Sequence, residues 1–301
     1  MKNYLLLSVI VVGLFSCVGA KKMREVSAKL QDLEVQQSGE SDKIKNIAST
    51  GEAKLAERKI DSNINERLDQ RLSSIRKDMD SINKEIANLK SLTSDIKKFR
   101  KNYQKEIVPK LAQLDTFYKR YDDRLKIYLM MEDALNTTNY VLFDLAAFFG
   151  PGLYNIPPGQ ESLAVQSFLP LIDSLVKFSN KYQNISRTAT LVVIGYADGQ
   201  DINRCSNLYD TLSDLIDEPV ATKQLLNKKL SELRAIELIK QLTAIFAQRV
   251  TTIKNLDQFN VEYIGQGKGE EYPMPSIKDY KENDERRRIV LCYWAVLPNL
   301  P

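Results

Sequence analysis

The chain has 301 residues, of which 43% are hydrophobic and 27% are charged, and its formal net charge is +4. This charge is too small to indicate a nucleic-acid partner, and no basic patch is interleaved with aromatic residues. Histidine is absent, which excludes Ser-His and Cys-His catalysis and every histidine-bearing metal site. The cysteines are too few and too scattered for a zinc cluster, so no metal or cofactor is predicted; they are Cys17, Cys205 and Cys292.

The N-terminus has the pattern of a bacterial sorting signal. A basic start precedes an apolar run over residues 4–15, which is too short to span a bilayer as a stable helix. The run leads into Leu-Phe-Ser-Cys at Cys17, which resembles a lipobox with Phe15 in place of the smaller residue that is usual there. The resemblance implies a signal peptide over residues 1–16 and a lipidated Cys17. The alternatives are an ordinary signal peptide cut after Ala20 and a cytoplasmic protein with a chance apolar start.

Lipidation of Cys17 would anchor the chain without a spanning helix, because more than one acyl chain holds a protein firmly at a membrane. Position 18 is Val, and so the acidic residue that favours retention at the inner membrane is missing. We therefore expect an outer-membrane lipoprotein of a Gram-negative bacterium that faces the periplasm.

A polar segment and then a long periodic segment follow. Residues 17–54 are mostly polar with little periodicity and are interpreted as a tether, with a partly helical tether left open. Residues 55–131 repeat apolar side chains at spacings of three and four and predict a long helix or coiled coil, interrupted by a step at Leu92 and by Pro109. Its first part would extend about 80 Å as an oligomerising spacer that makes the protein a homo-oligomer. A helix that folds back, as a hairpin or on the C-terminal domain, is the alternative.

Residues 139–301 change to short strands and amphipathic helices, which indicates a separate domain. The helix after the second strand is given Ser231 as its N-cap. Residues 199–224 are interpreted as a loop with an inserted helix. The predicted strands are residues 140–144, 188–194, 259–265 and 289–294.

Two segments of this region carry a more specific pattern. One strand ends in Gly-Tyr-Ala-Asp at Asp198, and the next helical run reads Asn-Lys-Lys-Leu-Ser-Glu-Leu-Arg-Ala from Asn227, with Arg234 as its arginine. Both resemble the OmpA-like peptidoglycan-binding domain family, whose strand ends in Gly-His-Thr-Asp and whose helix begins Asn-x-x-Leu-Ser-x-x-Arg-Ala. The resemblance covers about residues 139–296. It implies an α+β fold, with a βαβαβ-type mixed sheet, helices on one face and the inserted helix, preceded by the long coiled-coil segment.

The resemblance implies that Asp198 and Arg234 bind the zwitterionic end of the diamino acid in the peptidoglycan stem peptide, such as diaminopimelate. With Ser231 as N-cap, Arg234 lies in the first helical turn, where free N–H groups and a guanidinium make a carboxylate receptor. Asp198 would face the ammonium group. A neutral ligand would leave one charge unpaired, which is costly. The alternative is that Asp198 and Arg234 pair with each other and join strand to helix.

Three further residues join the implied peptidoglycan site through their positions in the family's motifs. Asn227 opens the helical motif. Arg287 and Arg288 align with the paired arginines of the closing Asn-Arg-Arg-Val segment, and Arg286 stands where the family has Asn or Asp. A solvated strand start, or ion pairs to acidic residues 284 and 285, is the alternative for the paired arginines.

Two features leave alternatives open. Cys205 and Cys292 would form a disulfide in an oxidising periplasm, or Cys292 is a buried thiol on the last strand. The glycine-rich residues 265–269 are similar to the family's Gly-x-Gly-Glu segment. A phosphate-binding loop is the rival interpretation, but the spacing is wrong and no periodic helix follows.

The leading functional hypothesis is a non-catalytic, lipid-anchored tether between the outer membrane and the cell wall. Its weak single sites would be multiplied by the coiled coil through effective concentration. The alternative is a scaffold module of an envelope complex with a degenerate wall-binding domain. An enzyme is not predicted, because the sequence has neither a nucleophile elbow nor a paired acidic motif.

Overall fold

The computed structural model describes residues 2–138, 140–144, 152–274 and 276–300, without the side chains of residues 2–18, 140, 143 and 144. The chain divides into two compact units. The helical unit contains Met1–Ser49 and Asp69–Leu129, and the sheet unit contains Thr50–Leu68 and Met130–Pro301.

The N-terminal half of the chain is helical. Asp95 caps the third helix, since its side chain accepts hydrogen bonds from the backbone N–H groups of Lys97 and Lys98. A π-helical segment, Tyr103–Ile107, precedes the fourth helix. The helices are α1 (Lys2–Ala56), α2 (Ser62–Thr93), α3 (Ile96–Asn102), α4 (Val108–Lys119) and α5 (Tyr121–Thr137).

The expected polar tether is instead part of α1, because its buried positions do recur at helical spacing. Gln37 and Glu40 are buried and occupy two of these positions, so the apolar pattern alone did not reveal the periodicity. The five apolar members are Val26, Leu30, Leu33, Ile44 and Ile47.

The long helix expected over residues 55–131 is divided in the structure, and its first break lies between Ala56 and Ser62. It is also interrupted between Thr93 and Ile96, just after the phase step at Leu92, and α4 begins with Pro109 in its first turn, where a missing N–H is tolerated. Residues of the predicted seam, such as Ile86 and Leu89, pack in one apolar cluster with Leu30 and Leu33 of α1. The seam is therefore covered within the chain, as in the alternative of a helix that folds back.

The helical unit also buries a charged cluster. Glu40 is 0% exposed. Its Oε1 accepts from Arg124 Nη2 at 2.7 Å, and its Oε2 accepts from Arg124 Nε at 3.0 Å and from the Tyr128 hydroxyl at 2.8 Å. Arg124 Nη1 donates to the carbonyl of Phe117 at 2.7 Å, and the guanidinium lies 3.7 Å from the centre of the Phe117 ring. Both carboxylate oxygens and all three guanidinium nitrogens therefore have partners.

Within the described residues, no helix combines the length and the apolar character needed to cross a membrane.

The sheet unit has a four-stranded mixed sheet in the order β1-β4-β2-β3. β4 is antiparallel to both β1 and β2, and β2 is parallel to β3. The expected α+β fold, with its mixed sheet, inserted helix and preceding long helices, is confirmed. The strands are β1 (Tyr140–Asp144), β2 (Arg187–Gly195), β3 (Phe259–Gly267) and β4 (Ile289–Pro298).

Three α-helices of the described residues lie wholly within the sheet unit: α6 (Glu161–Lys181), α7 (Asn207–Asp214) and α8 (Lys223–Arg249). α6 contacts β4 and β2, α8 contacts β2 and β3, and the two helices contact each other, so both lie on one face of the sheet. Short 3-10 helices span Val250–Thr252, Leu256–Gln258 and Glu285–Arg287.

Two glycines allow α8 to lie close to the sheet. A Cβ at Gly195, the last residue of β2, would overlap the backbone carbonyl of Ser231, and a Cβ at Gly267 of β3 would overlap the carbonyl of Lys228. Only glycine permits this approach without moving the helix. The close packing fixes the middle of α8 against the ends of β2 and β3.

Candidate functional site

The backbone after β2 is held in place by three neighbouring segments. Tyr196 N–H donates to the Ile289 carbonyl at 3.0 Å, and Ala197 N–H donates to the Gly269 carbonyl at 2.8 Å. Gly199 N–H donates to the carbonyl of residue 282 at 2.7 Å. These bonds fix the backbone on both sides of Asp198, which is 7% exposed.

Asp198 pairs with Arg288, not with Arg234. Its Oδ2 accepts hydrogen bonds from Arg288 Nε at 2.8 Å and from Arg288 Nη2 at 2.7 Å. Both side chains are more than nine-tenths buried. The pair joins the segment after β2 to the residue that precedes β4, and the alternative of a direct Asp198–Arg234 pair is not what the structure contains.

Arg234 lies well inside α8, which corrects the assignment of Ser231 as N-cap. α8 begins at Lys223, and its N-cap is Thr222, whose hydroxyl accepts from Leu225 N–H. Arg234 is therefore roughly 17 Å along the axis from the helix start at 1.5 Å per residue. The free N–H groups of the helix N-terminus are too far away to act with Arg234 on one carboxylate. Any carboxylate recognition at Arg234 must come from the guanidinium itself.

Ser231 joins α8 to the loop after β3 through hydrogen bonds. Its hydroxyl donates to the Lys228 carbonyl at 2.8 Å and accepts from Gly269 N–H at 2.9 Å. This second bond ties α8 to the loop after β3. The Leu-Ser part of the motif therefore holds helix to loop, while Arg234 lies one turn further along the same helix.

Arg234 is a buried cation with incomplete hydrogen bonding. The side chain is 2% exposed, and its Nε donates to the Leu153 carbonyl at 3.0 Å. Its Nη1 is buried and has no hydrogen-bond partner in the described part of the chain. Burial lowers the pKa of Arg234 to about 10; the charge of Asp198 opposes this shift and the charge of Arg288 adds to it. A buried donor without a partner is unusual in a native protein. An acceptor atom of a ligand would satisfy it.

Asn227 connects two loops at the edge of this site. Its side-chain amide donates to the Gln200 carbonyl at 3.1 Å and to Glu270 Oε1 at 2.7 Å. Asn227 is almost fully buried. It therefore fixes the loops after β2 and β3 in relation to α8.

Arg287 binds backbone carbonyl groups. Its Nη1 donates to the carbonyls of Lys281 and Glu282 at 3.3 and 2.9 Å, and its Nη2 donates to the carbonyl of Glu270. Its Nε is buried and has no hydrogen-bond partner among the described residues. In this arrangement Arg287 holds the segment between β3 and β4 together, and only its Nε lacks an acceptor.

The inserted helix packs on the first half of α8. Leu212 of α7 forms an apolar cluster with Leu226 and Leu230 of α8. A surface ion pair from Lys223 to Glu282, 2.6 Å long, links the start of α8 to the segment before β4. The insert thus covers α8 before Arg234.

Neither cysteine of the sheet unit is bridged: Cys205 is an exposed thiol and Cys292 a buried one. Burial raises the pKa of the Cys292 thiol to about 12, so this thiol stays protonated at neutral pH. Among the described residues, no group of acidic or cysteine side chains is arranged to hold a metal ion. The side chain of Cys17 lies outside the described part of the chain.

Sequence reasoning grouped Asp198, Arg234 and Arg288 in one site but did not find that Arg288 is the partner of Asp198. The contact depends on β4 lying directly beside β2, which is a property of the sheet order. The signal that was present is the position of Arg288 immediately before β4, combined with that of Asp198 three residues after β2. In an antiparallel pair these two ends meet.

Solved structures similar to this chain include two MotB-type proteins. A MotB-like protein from Desulfovibrio vulgaris is 14% identical with a TM-score of 0.29, over 55% of this chain and 75% of the other. The periplasmic domain of MotB from Helicobacter pylori is 14% identical with a TM-score of 0.25, over 52% of this chain and 74% of the other. No family model and no curated protein matches the sequence. A likeness of this size carries no argument about function, which must come from the site residues themselves.

Proposed function

We infer that the protein is a non-catalytic, lipid-anchored envelope protein of the periplasm that binds the diamino acid of the peptidoglycan stem peptide. In this role it joins the outer membrane to the cell wall. The observation that carries the proposal is the buried guanidinium of Arg234, whose Nη1 has no hydrogen-bond partner among the residues that the structure describes.

A carboxylate is the ligand group that best completes Arg234. It carries the opposite charge, and its hydrogen bonds with a guanidinium are short and strong. A backbone carbonyl already occupies Nε, so the remaining donors are on the outer nitrogens. A neutral acceptor would leave the charge of Arg234 unbalanced, because Asp198 already forms an ion pair with Arg288.

The second half of the ligand is an ammonium group, for which Asp198 is the acidic partner. Asp198 is close enough to Arg234 for its charge to act on the pKa of that side chain. A ligand that carries a carboxylate and an ammonium on one carbon offers a partner to both residues. The free end of diaminopimelate has this arrangement, and the side chain of lysine, the usual replacement in other walls, has only the ammonium.

A sacculus pulldown tests wall binding. The full chain is expected to sediment with purified sacculi of the diaminopimelate type and to stay in solution with sacculi of the lysine type. Asp198→Ala and Arg234→Ala should each abolish sedimentation. Arg286→Ala is the matched control, because Arg286 is a neighbouring but half-exposed arginine that pairs with Asp284. If Asp198→Ala and Arg234→Ala sediment as well as the unchanged chain, wall binding through this site is wrong.

Metabolic labelling tests the anchor. Radioactive palmitate should label the chain, and Cys17→Ala should remove the label. Equal labelling of the two chains would contradict lipidation at Cys17. The result is independent of wall binding, so the two halves of the proposal fail separately.

A scaffold module with a degenerate wall-binding domain is the second candidate. The observation that favours it is the ion pair of Asp198 with Arg288, which satisfies Asp198 without a ligand. A chain that is labelled at Cys17 but ignores both types of sacculi would support this role.

A further inference from the structure

We propose that Arg288 determines ligand specificity by acting as an internal competitor for Asp198, so that the site accepts a cation only when the same ligand also brings a carboxylate. The inference rests on the proposed function and deepens it. It concerns the order of recognition in the site: in the free protein Arg234 Nη1 lacks an acceptor among the described residues, whereas Asp198 is already paired with Arg288.

Asp198 already has an ion-pair partner in the free protein. A single carboxylate oxygen, Oδ2, accepts from two nitrogens of Arg288 at 2.8 and 2.7 Å. A guanidinium that donates twice is a better partner than a single ammonium group of a ligand, and it is already in place. Because Arg288 binds this carboxylate twice, a ligand ammonium that approaches Asp198 has to compete with Arg288 for it.

The release of Arg288 from Asp198 is energetically unfavourable. Arg288 is 6% exposed. Without Asp198 it would be a buried charge with no carboxylate beside it, and breaking a buried pair by removing one partner is strongly unfavourable. Arg234 increases this cost, since its positive charge already interacts unfavourably with that of Arg288. A ligand that brings only positive charge would place a third cation in this cluster.

A zwitterionic ligand compensates for the release of Arg288. Its carboxylate supplies the acceptor that Arg234 Nη1 lacks and also gives the released Arg288 a new anionic partner. Its ammonium replaces Arg288 at Asp198. One internal ion pair is exchanged for pairs with both ends of the ligand, and no buried charge is left alone. A ligand with a carboxylate alone would bind Arg234 and leave the Asp198–Arg288 pair intact.

Three small molecules separate these cases: diaminopimelate, pimelate, which lacks both amino groups, and 1,5-diaminopentane, which lacks both carboxylates. Calorimetric titration of the full chain should give the tightest binding for diaminopimelate, weaker binding for pimelate and none for the diamine. In Arg288→Gln the competitor is gone, so the affinity for the diamine should rise by about tenfold or more. The affinity for pimelate should differ by less than about threefold between Arg288→Gln and the unchanged chain. Arg286→Gln is the matched control and should behave like the unchanged chain.

Two outcomes would overturn the inference. One is binding of the diamine to the unchanged chain as tightly as to Arg288→Gln. The other is an Arg288→Gln chain that still binds diaminopimelate but gains nothing for the diamine. If diaminopimelate does not bind the unchanged chain at all, the proposed function itself fails and the inference falls with it, which is a distinguishable result.

A measurement on the unchanged chain covers the case in which Arg288→Gln does not fold. In arginine side-chain NMR, the Nε–H signal of Arg288 should shift when diaminopimelate binds, because its acceptor changes from Asp198 to the ligand. Pimelate should shift the Arg234 signal and leave that of Arg288 in place. An Arg288 signal that responds equally to both ligands, or to neither, would contradict the exchange.

Discussion

The helical unit and the sheet unit each bury a carboxylate against an arginine. The two clusters differ in whether every buried polar atom has a hydrogen-bond partner. Around Glu40, both carboxylate oxygens and all the guanidinium nitrogens of Arg124 have partners. Around Asp198, the pair with Arg288 is accompanied by a second arginine, Arg234, which keeps a buried donor without an acceptor. A completed cluster holds a fold together, and an incomplete one is prepared for a ligand. The comparison yields predictions on stability that are separate from the binding experiments.

The largest effect is expected from Glu40→Ala. The substitution leaves Arg124 buried without its carboxylate, and the helical unit should lose about 3–5 kcal/mol of unfolding free energy. Urea denaturation followed by far-UV circular dichroism measures the helices. Glu34→Ala is the control, since the Glu34–Lys90 pair in the same unit is about half exposed and should be worth about 0–1 kcal/mol. Equal losses from the two variants would remove the distinction between the clusters.

Gly195→Ala tests whether close backbone packing holds the incomplete cluster in place. The added methyl group overlaps the Ser231 carbonyl, so the sheet unit should lose about 1–3 kcal/mol or more. The chain has one tryptophan, Trp294 in the core strand β4, and its fluorescence reports this unit directly.

The control for Gly195→Ala is Gly39→Ala, at a helical position with nothing within 4 Å of the new Cβ. That change should stabilise the helical unit by up to about 1 kcal/mol, because alanine favours the helix. A stable Gly195→Ala chain with unchanged fluorescence would mean that α8 is free to move away from the sheet.

The stability that the Glu40 cluster gives the helical unit should also depend on pH in the alkaline range. Burial, and then the hydrogen bond to Glu40, raise the pKa of Tyr128 above its ordinary value of 10. The unfolded chain therefore loses this proton first as pH rises through 10, so the stabilisation is fully present below pH 10 and declines above it. Between pH 9 and pH 11 the loss should be about 1 kcal/mol. Tyr128→Phe should remove this part of the pH dependence, and an unchanged slope in that variant would place the effect elsewhere.

The smallest change in stability is expected from Arg234→Met, although it should abolish wall binding. The substitution removes a buried charge and its unpaired donor and keeps much of the apolar volume, so the unfolding free energy should stay within about 1 kcal/mol or increase. Trp294 fluorescence in urea measures it. A loss as large as that of Glu40→Ala would show that Arg234 is a structural residue, and the contrast between the two clusters would not hold.

The strands and the inserted helix could be predicted from local pattern, because apolar and β-branched residues alternate with turn residues at the right lengths. The start of α8 could not be predicted from the motif alone. Leu225 and Leu226 continue the apolar pattern back to Thr222, and the motif match drew attention to Ser231 instead. The helical nature of the expected tether was hidden for a related reason, since Gln37 and Glu40 occupy core positions that an apolar count leaves empty.

The sequence could predict which residues belong to the site, but it could not predict their hydrogen-bond partners. Asp198, Arg234 and Asn227 follow from the motif, but their partners depend on strand order and on carbonyl groups distant in the chain. Such contacts have no local signature. A single sequence therefore indicates which residues belong together and leaves open which of them are already satisfied by the protein.

The position of β4 has a consequence for how the sheet unit forms. β4 comes after the other three strands in the chain, yet it lies between β1 and β2, and all ten of its residues are buried. As the chain emerges from a ribosome or a membrane pore, β1 has no neighbour to pair with until residues 289–298 follow. Partners this far apart in sequence make folding slow. The unit would thus stay open until β4 has been synthesised, and Arg288 would reach Asp198 only in the final step of assembly.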